Sequence, residues 1–394
     1  MAENIQKVKK VFSFKRIIIP VFIGLFASGL LLYNSFQEEL FVEVDTGTGS
    51  YIWTDSNHND FEEIDEFTLA ENGNYQKKST LEVISSINWG YQSFIWILFA
   101  FLTMVIRDVA YMYRLRVLSE KQLSWKSCFY SIMLWETSSA ITPSVVGGSG
   151  IAMFILNREG IPLGRSTAIV MVSAMLDELF FVIIVPLTIL WLGTDALFPS
   201  YLDFQFFGLE LDVFSIFLIG YMFIIFLTTS IFWGVFYSPI QLKKLLFWIF
   251  SFKLIKKWRT NAVITGNEII ISSKVFKEKK IGFWLSSFGA TSLAWIARYF
   301  TANMVIMAFV MADDHILIIG RQLVMWVIML ISPTPGGSGI AEALFMSLLK
   351  DSSISQLALV AAIVWRFVSY YPYLFIGSFI FPSWLRRTSK KEKA

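Results

Sequence analysis

The residues with chemical potential in this 394-residue sequence are charges set inside apolar runs and two glycine-rich turns. Asp177 and Glu178 lie near the middle of one apolar run and Arg366 near the middle of another. In hydrocarbon each is costly, so each marks a pathway, a relay or a ligand contact by default. The hexapeptide Gly147-Gly148-Ser149-Gly150-Ile151-Ala152 recurs unchanged as Gly336-Gly337-Ser338-Gly339-Ile340-Ala341, each copy after a proline. Glycine amides at the start of a helix attract anions, phosphate above all, and Ser149 and Ser338 add hydroxyls. The plainer reading is that the glycines permit close helix packing. Arg366 is suited to grip either a carboxylate or a phosphate. A pair between it and Asp177 would relieve the burial cost and open when a phosphate takes the arginine. A permanent structural ion pair is the competing reading. Glu342, in the first turn of the helix after the second glycine copy, either complements the helix dipole or couples protons.

These residues form the expected site. Gly147, Gly148, Ser149, Gly150, Gly336, Gly337, Ser338, Gly339 and Arg366 are the substrate-binding set, and Asp177, Glu178 and Glu342 are the switching or proton-coupling carboxylates. Glu136, Arg298 and Arg321 also fall in apolar stretches; Arg107-Asp108 and Arg298 fit an interfacial place with snorkelling side chains equally well, and that reading is taken for Arg107. No metal or cofactor is expected. The histidines, His58 and His315, fall in separate predicted outer loops, and Cys128 has no cysteine partner. GGSG-I-A lacks the G-x-S-x-G spacing of a nucleophile elbow, and neither a P-loop nor a dinucleotide fingerprint occurs. An enzyme is therefore not expected.

The elements that must position this chemistry are membrane helices. Hydrophobic residues make up 55% of the chain, aromatic 17% and charged 16%, with mean hydropathy +0.60; a soluble domain carries about 25% charged residues. Ile17–Tyr33, Trp89–Ile106, Ala168–Trp191, Val213–Tyr237, Phe283–Met311 and Leu357–Phe381 are each about long enough to span hydrocarbon. The first ends in Tyr33-Asn34-Ser35-Phe36, unlike a signal cleavage site, and is read as a retained span. Two further regions, 127–157 and 316–350, are each split by a Pro/Gly turn into arms too short to cross comfortably. Both read as re-entrant hairpins.

Charge sets the orientation. Lys7, Lys9, Lys10, Lys15 and Arg16, then Arg107 to Lys126, then Lys243 to Lys280, then Arg386, Arg387, Lys390, Lys391 and Lys393 are expected in the cytoplasm. Residues 35–87, with twelve acidic residues and only Lys77 and Lys78 as basic ones, are expected outside, as are 192–212 and 312–315, which contain no Lys or Arg. The first hairpin then dips from the cytoplasm and the second from outside. Asp177 follows Gly147 by 30 residues and Arg366 follows Gly336 by the same 30. The two units are thus an inverted repeat of the transporter kind, with a site at the repeat interface.

The expected organisation is all-α. It comprises residues 1–34 (cytoplasmic N-terminus and first span), 35–87 (acidic outer loop) and 88–237 (first repeat unit). A basic amphipathic cytoplasmic region, 238–282, precedes the second repeat unit, 283–381, and a basic tail, 382–394.

The second turn carries a resemblance. Pro333-Thr334-Pro335-Gly336-Gly337-Ser338-Gly339-Ile340-Ala341-Glu342-Ala343, then Trp365-Arg366-Phe367 and Tyr370-Tyr371-Pro372, resembles the second half of the lysylphosphatidylglycerol synthase/flippase transmembrane-region family. Arg107 to Arg116, and Asn157-Arg158-Glu159-Gly160-Ile161-Pro162 up to Asp177, are similar to its first half. The likeness covers roughly residues 90–380. Val145-Val146-Gly147-Gly148 departs from the family's first turn, and residues 35–87 have no counterpart in it. The resemblance implies a flippase-like protein, as in the N-terminal part of the multiple peptide resistance factor, which moves aminoacylated phosphatidylglycerol between leaflets. Other stand-alone members are linked to polyprenyl-phosphate, glycolipid or hopanoid pathways. The chain ends shortly after its last span, so a soluble synthase domain is not expected.

The expected function is a flippase in the cell (inner) membrane, with both termini cytoplasmic. It would move an anionic or phosphate-bearing lipid, as a homo-oligomer or beside a separate lipid-modifying enzyme, and would bind no nucleic acid. The alternatives are a membrane-embedded transferase acting on a lipid phosphate, with Glu342 as base, and a lipid-binding partner subunit that transports nothing.

Overall fold

The computed structural model describes residues 18, 22, 25, 26, 29, 30, 33, 39–56, 64–86, 89–142, 147–199, 203–206, 209–249, 267, 270–311, 314–330, 334, 336–349 and 357–391. The N-terminal basic cluster (Lys7 to Arg16), His58, residues 143–146 of the first turn, Pro333, Pro335, Lys350, Asp351 and the middle of the basic region 238–282 lie outside them. So does most of the expected first span, whose described residues are helical.

The acidic segment 35–87, expected as a loop in an all-α chain, instead carries a small sheet. Strands β1 (Glu39–Glu43), β2 (Gly49–Trp53), β3 (Phe67–Gly73) and β4 (Tyr75–Ser79) form an antiparallel sheet in the order β1-β4-β2-β3. Phe41, Tyr51, Phe67 and Tyr75 cluster across the strands, with Phe41 and Phe67 stacked at 3.9 Å between centroids. Aromatic residues favour such a pleated, half-buried surface. Asn72, at φ 66°, lies within β3, where the register against β2 shifts between Gly49 and Tyr51, as at a β-bulge. Helix α1 (Thr80–Ser85) follows, opened by a capping box between Ser79 and Glu82. Leu40, Val42, Val83 and Ile84 join the segment to the helical core.

The rest is almost wholly helical. Helices α2 (Tyr91–Leu118), α3 (Trp125–Ile141), α4 (Gly147–Arg158) and α5 (Leu163–Leu192) are followed by the short α6 (Thr194–Leu197) and a hairpin of β5 (Asp203–Phe206) and β6 (Leu209–Asp212). Then come α7 (Val213–Phe232), α8 (Pro239–Ile249), α9 (Ile281–Met307), α10 (His315–Met329), α11 (Ile340–Leu348), α12 (Ala358–Ser369) and α13 (Tyr371–Lys391). Among the described residues four segments are long and apolar enough to cross a membrane: Tyr91–Leu118, Leu163–Leu192, Val213–Tyr237 and Ala358–Ser389. Helix α9, the expected fifth span, has 27 residues but is not in that set. It buries Ser287, Thr291, Thr301 and Asn303 against its neighbours, and those contacts dilute its hydropathy. The expected last span is interrupted at Tyr370 (φ −127°, ψ −57°). Pro372 has no N–H to continue the ladder.

The glycine turns each join two short antiparallel helices, with arms of 17 and 12 residues in α3–α4 and of 15 and 9 in α10–α11. In the first pair Gly148 lies against Ser139, Leu134 and Ile155 share a cluster, and Arg387 donates to both Ser127 (3.3 Å) and Glu159. In the second, Gly337 lies against Met329 and Arg321 Nη1 donates to the Leu348 carbonyl (2.8 Å). At about 1.5 Å per residue, no arm reaches the roughly 30 Å of a hydrocarbon core.

The two hairpins are rooted at opposite ends of the molecule. The base of α3–α4 lies where Glu120 accepts from Arg165 (2.6 Å) and Lys279 (2.5 Å). The base of α10–α11 lies at the far end of the 30-residue α5, where Arg321 Nε donates to the Ala196 carbonyl (2.9 Å). Between them α2 and α9 run antiparallel. Trp89 meets Phe309, Thr103 meets Thr301 at 2.9 Å, and Arg114 donates to Thr291 at 3.1 Å. Packing is largely reciprocal when α2, α3, α4, α5 and α7 are exchanged for α9, α10, α11, α12 and α13, although α5 packs on α10 more closely than α12 does on α3. Thus α3 packs on α13 as α10 does on α7, and α9 packs on α5 as α2 does on α12.

Candidate functional site

A central cavity of about 270 Å³ lies where the two hairpin tips approach. Both glycine turns reach it, through Ser149 of the first and Gly336 and Gly337 of the second, and Asp177, Glu178 and Arg366 line it as well. Six of the sequence-nominated residues therefore share one space. The other six, Gly147, Gly148, Gly150, Ser338, Gly339 and Glu342, do not line it.

The two copies of the hexapeptide are built differently. In the second, Gly336, Gly337 and Gly339 have φ of 58°, 69° and 85°, a region nearly closed to other residues. The Tyr370 ring occupies the space a side chain at Gly336 would need. Helix α11 starts only at Ile340, because Glu342 Oε2 accepts from the Gly339 amide (2.8 Å). In the first copy the glycines are already helical, so α4 begins at Gly147 and not at the expected Ile151. Gly148 is turned onto Ser139 and Gly150 faces open space.

The expected pair between Asp177 and Arg366 is not formed. Asp177 accepts instead from Arg114 Nη1 (2.6 Å) and Trp295 Nε1 (2.9 Å). Arg366 donates from Nε to Glu342 (3.1 Å) and from Nη2 to the Gly336 carbonyl (2.8 Å). The reason is local: Glu342 caps its own helix beside Gly339, within reach of α12, and its side chain is 0% exposed. A nearby buried carboxylate wins the arginine.

Arg107 is also not the snorkelling residue expected. Its side chain is 0% exposed, it pairs with Glu136 and, at 3.3 Å, with Asp108, and it sits over the rings of Tyr111 and Tyr373. Tyr373 donates to Asp108 at 2.7 Å. Arg107, Tyr111 and Arg114 stand at i, i+4 and i+7 on α2, one face of a helix. That spacing was the readable sign that both arginines face inward. The Tyr370 hydroxyl donates to the Ala140 carbonyl (2.9 Å) and meets Ser338 Oγ at 3.4 Å. It thereby ties the end of α3 to the second turn. Among the described residues no cluster of His, Cys, Asp and Glu could hold a metal ion.

Residues 73–377 match the family described as the lysylphosphatidylglycerol synthase TM region. The chain is also similar to a UPF0104 membrane protein of Archaeoglobus fulgidus, at 23% identity over 314 residues, covering 77% of this chain and 89% of that protein. No solved structure matches. The chain belongs to the lysylphosphatidylglycerol synthase transmembrane-region family, and it is a multi-pass membrane protein whose family ties it to lipids.

Proposed function

We propose that this member of the family is a flippase that moves a phosphate-bearing lipid between leaflets by way of the central cavity. One observation carries the reading: two half-length hairpins, rooted at opposite ends, bring their glycine turns to a single cavity lined by Arg366, Asp177 and Glu178. Irregular backbone at membrane depth must be buried in protein or line a wet space, and a cavity between two such turns meets that condition. The antiparallel α2–α9 pair and the reciprocal packing support an inverted repeat, with both hairpins re-entrant. The basic end holding Arg116, Lys121, Arg158, Arg165 and Lys279 then faces the cytoplasm of the cell membrane, with the C-terminus and, from its charge, the N-terminus. Asp177 and Glu178 serve as the carboxylates whose protonation or pairing biases the two arrangements of the units.

The transferase alternative is disfavoured by the fixing of Glu342. Between the Gly339 amide and Arg366, and away from the cavity wall, it is placed to hold a turn and not to deprotonate a substrate.

Proteoliposomes holding phosphatidylglycerol with a reducible headgroup label test the function. The wild-type protein should carry inner-leaflet label to the reach of an impermeant reductant with no change in lipid mass. Asp177→Asn should shift the pH dependence of that rate. A changed lipid mass would mean an enzyme, and an inner leaflet as protected as in protein-free vesicles would mean no transport.

A further inference from the structure

Three guanidinium groups line the central cavity, and they are not equally committed. Arg114 is held by Asp177 and Thr291, and Arg366 by Glu342 and the Gly336 carbonyl. Each of these side chains is 6% exposed. Arg298, on α9, is 20% exposed. Its one ion pair among the described residues is with Glu136, at 3.9 Å, and Glu136 is already paired with Arg107. What holds Arg298 is aromatic: its guanidinium carbon lies 5.2 Å from the Trp295 ring centroid and 4.7 Å from that of Trp326. Rings attract a cation through its charge and leave its N–H donors unused. The cation is positioned, and its hydrogen bonds are unspent among the described residues.

Three more residues of the cavity wall carry polar atoms in the same state. Glu178 Oε2, the Tyr299 hydroxyl and Trp365 Nε1 are buried and have no hydrogen-bond partner among the described residues. Such atoms are uncommon in folded proteins and call for a ligand, an ion or water. The volume, about 270 Å³, falls just below the roughly 300–1,000 Å³ of sites for drug-sized ligands. It suits a headgroup without its chains.

We infer that Arg298, and not Arg366, is the phosphate contact of the cavity. Tyr299 supplies a second donor to the phosphate, and Glu178 accepts from a hydroxyl or amine on the same headgroup. The assignment rests on the lipid-phosphate reading of the cavity and names the residues that do the recognising. Arg366, by contrast, is the clamp of the second turn. When Arg298 moves to a ligand, Glu136 keeps Arg107, so no carboxylate is stranded.

Calorimetric titration of the full-length protein in detergent tests this, with dihexanoyl phosphatidylglycerol and inorganic phosphate as separate probes. Arg298→Gln should weaken the short-chain lipid by about tenfold or more, since a charge-assisted hydrogen bond is lost. Arg298→Lys should fall between, because a point charge replaces a planar fork. Glu178→Gln should weaken the short-chain lipid and leave inorganic phosphate unchanged. Wild-type affinity in Arg298→Gln overturns the assignment while leaving a phosphate-lipid site intact. Should that variant not fold, wild-type affinity in Arg298→Lys overturns it equally. Inorganic phosphate binding as tightly as the lipid would make this a site for the free ion. Wild-type protein that binds neither probe would remove the lipid-phosphate reading itself.

Discussion

At the scale of single residues, the charges divide into those that hold the fold and those left to work. Arg366 and Glu342 form a buried pair in which the carboxylate also caps a helix. Removing one member of a buried pair strands the other, at a cost of about 3–5 kcal/mol. Arg366→Gln should therefore lower the unfolding temperature in detergent, and Arg366→Gln with Glu342→Gln should recover much of the loss. A single variant that melts like wild type would deny the clamp. Asp177→Asn should cost less, because Asp177 is 24% exposed where Glu342 is fully buried and an amide oxygen still accepts from Arg114 and Trp295. The sequence marked these residues as costly, but it could not pair them. Arg114 and Asp177 stand 63 residues apart, so their meeting depends on how α2 and α5 pack. Arg366 and Glu342, 24 apart, meet only because the second turn folds back beneath α12.

At the scale of elements, the same six residues make two different structures, and a neighbouring residue decides which. Glu342 follows the second copy of the hexapeptide and captures the Gly339 amide. Met153 stands in the corresponding place after the first copy and offers no acceptor. The first copy therefore runs on as helix from Gly147, while the second stays a left-handed turn until Ile340. Gly to Ala in the two copies should then act with opposite sign. At Gly150, helical and facing open space, Ala should stabilise by roughly 0.5–1 kcal/mol. At Gly336, with φ 58° and the Tyr370 ring against it, Ala should destabilise by about 1–2 kcal/mol or more. Thermal unfolding of the two variants checks both, and equal signs would mean that the turns are alike. The repeat itself, with its proline and its short arms, was legible as a pair of broken hairpins. The difference between the copies lay in the residue after them, where a dipole argument for Glu342 stopped one step short of the cap. The sheet of residues 39–79 was missed because acidic content masked short runs of aromatic and aliphatic residues, Leu40-Phe41-Val42 and Tyr51-Ile52-Trp53, that favour strands.

At the scale of the whole molecule, the two hairpin bases mark its ends, and the charges sort between them. One end holds Arg116, Lys121, Lys126, Arg158, Arg165 and Lys279, while Asp195, Asp212 and Asp314 stand at the other, with no Lys or Arg in 192–212. In the proposed inverted repeat, with α2 and α9 antiparallel, one bilayer crossing both units meets the hairpin bases on opposite faces. The 30 residues of α5, about 45 Å at 1.5 Å each, exceed the hydrocarbon thickness, so the proposed topology sets its two ends in opposite aqueous phases. Arg165 lies in its first turn and Asp195 just past its last. Cys128, the one cysteine, is buried, so Cys128→Ser gives a background silent to thiol reagents. In that background, Arg165→Cys should react with an impermeant maleimide only after the membrane is opened, and Asp195→Cys should react in sealed cells. Asp195→Cys and Asp314→Cys should react alike, since Arg321 of α10 joins the Ala196 carbonyl to the Leu348 carbonyl at that end. If Arg165→Cys and Asp195→Cys were labelled from the same side, α5 would not cross, the hairpins would not enter from opposite faces, and the inverted repeat would fall with them.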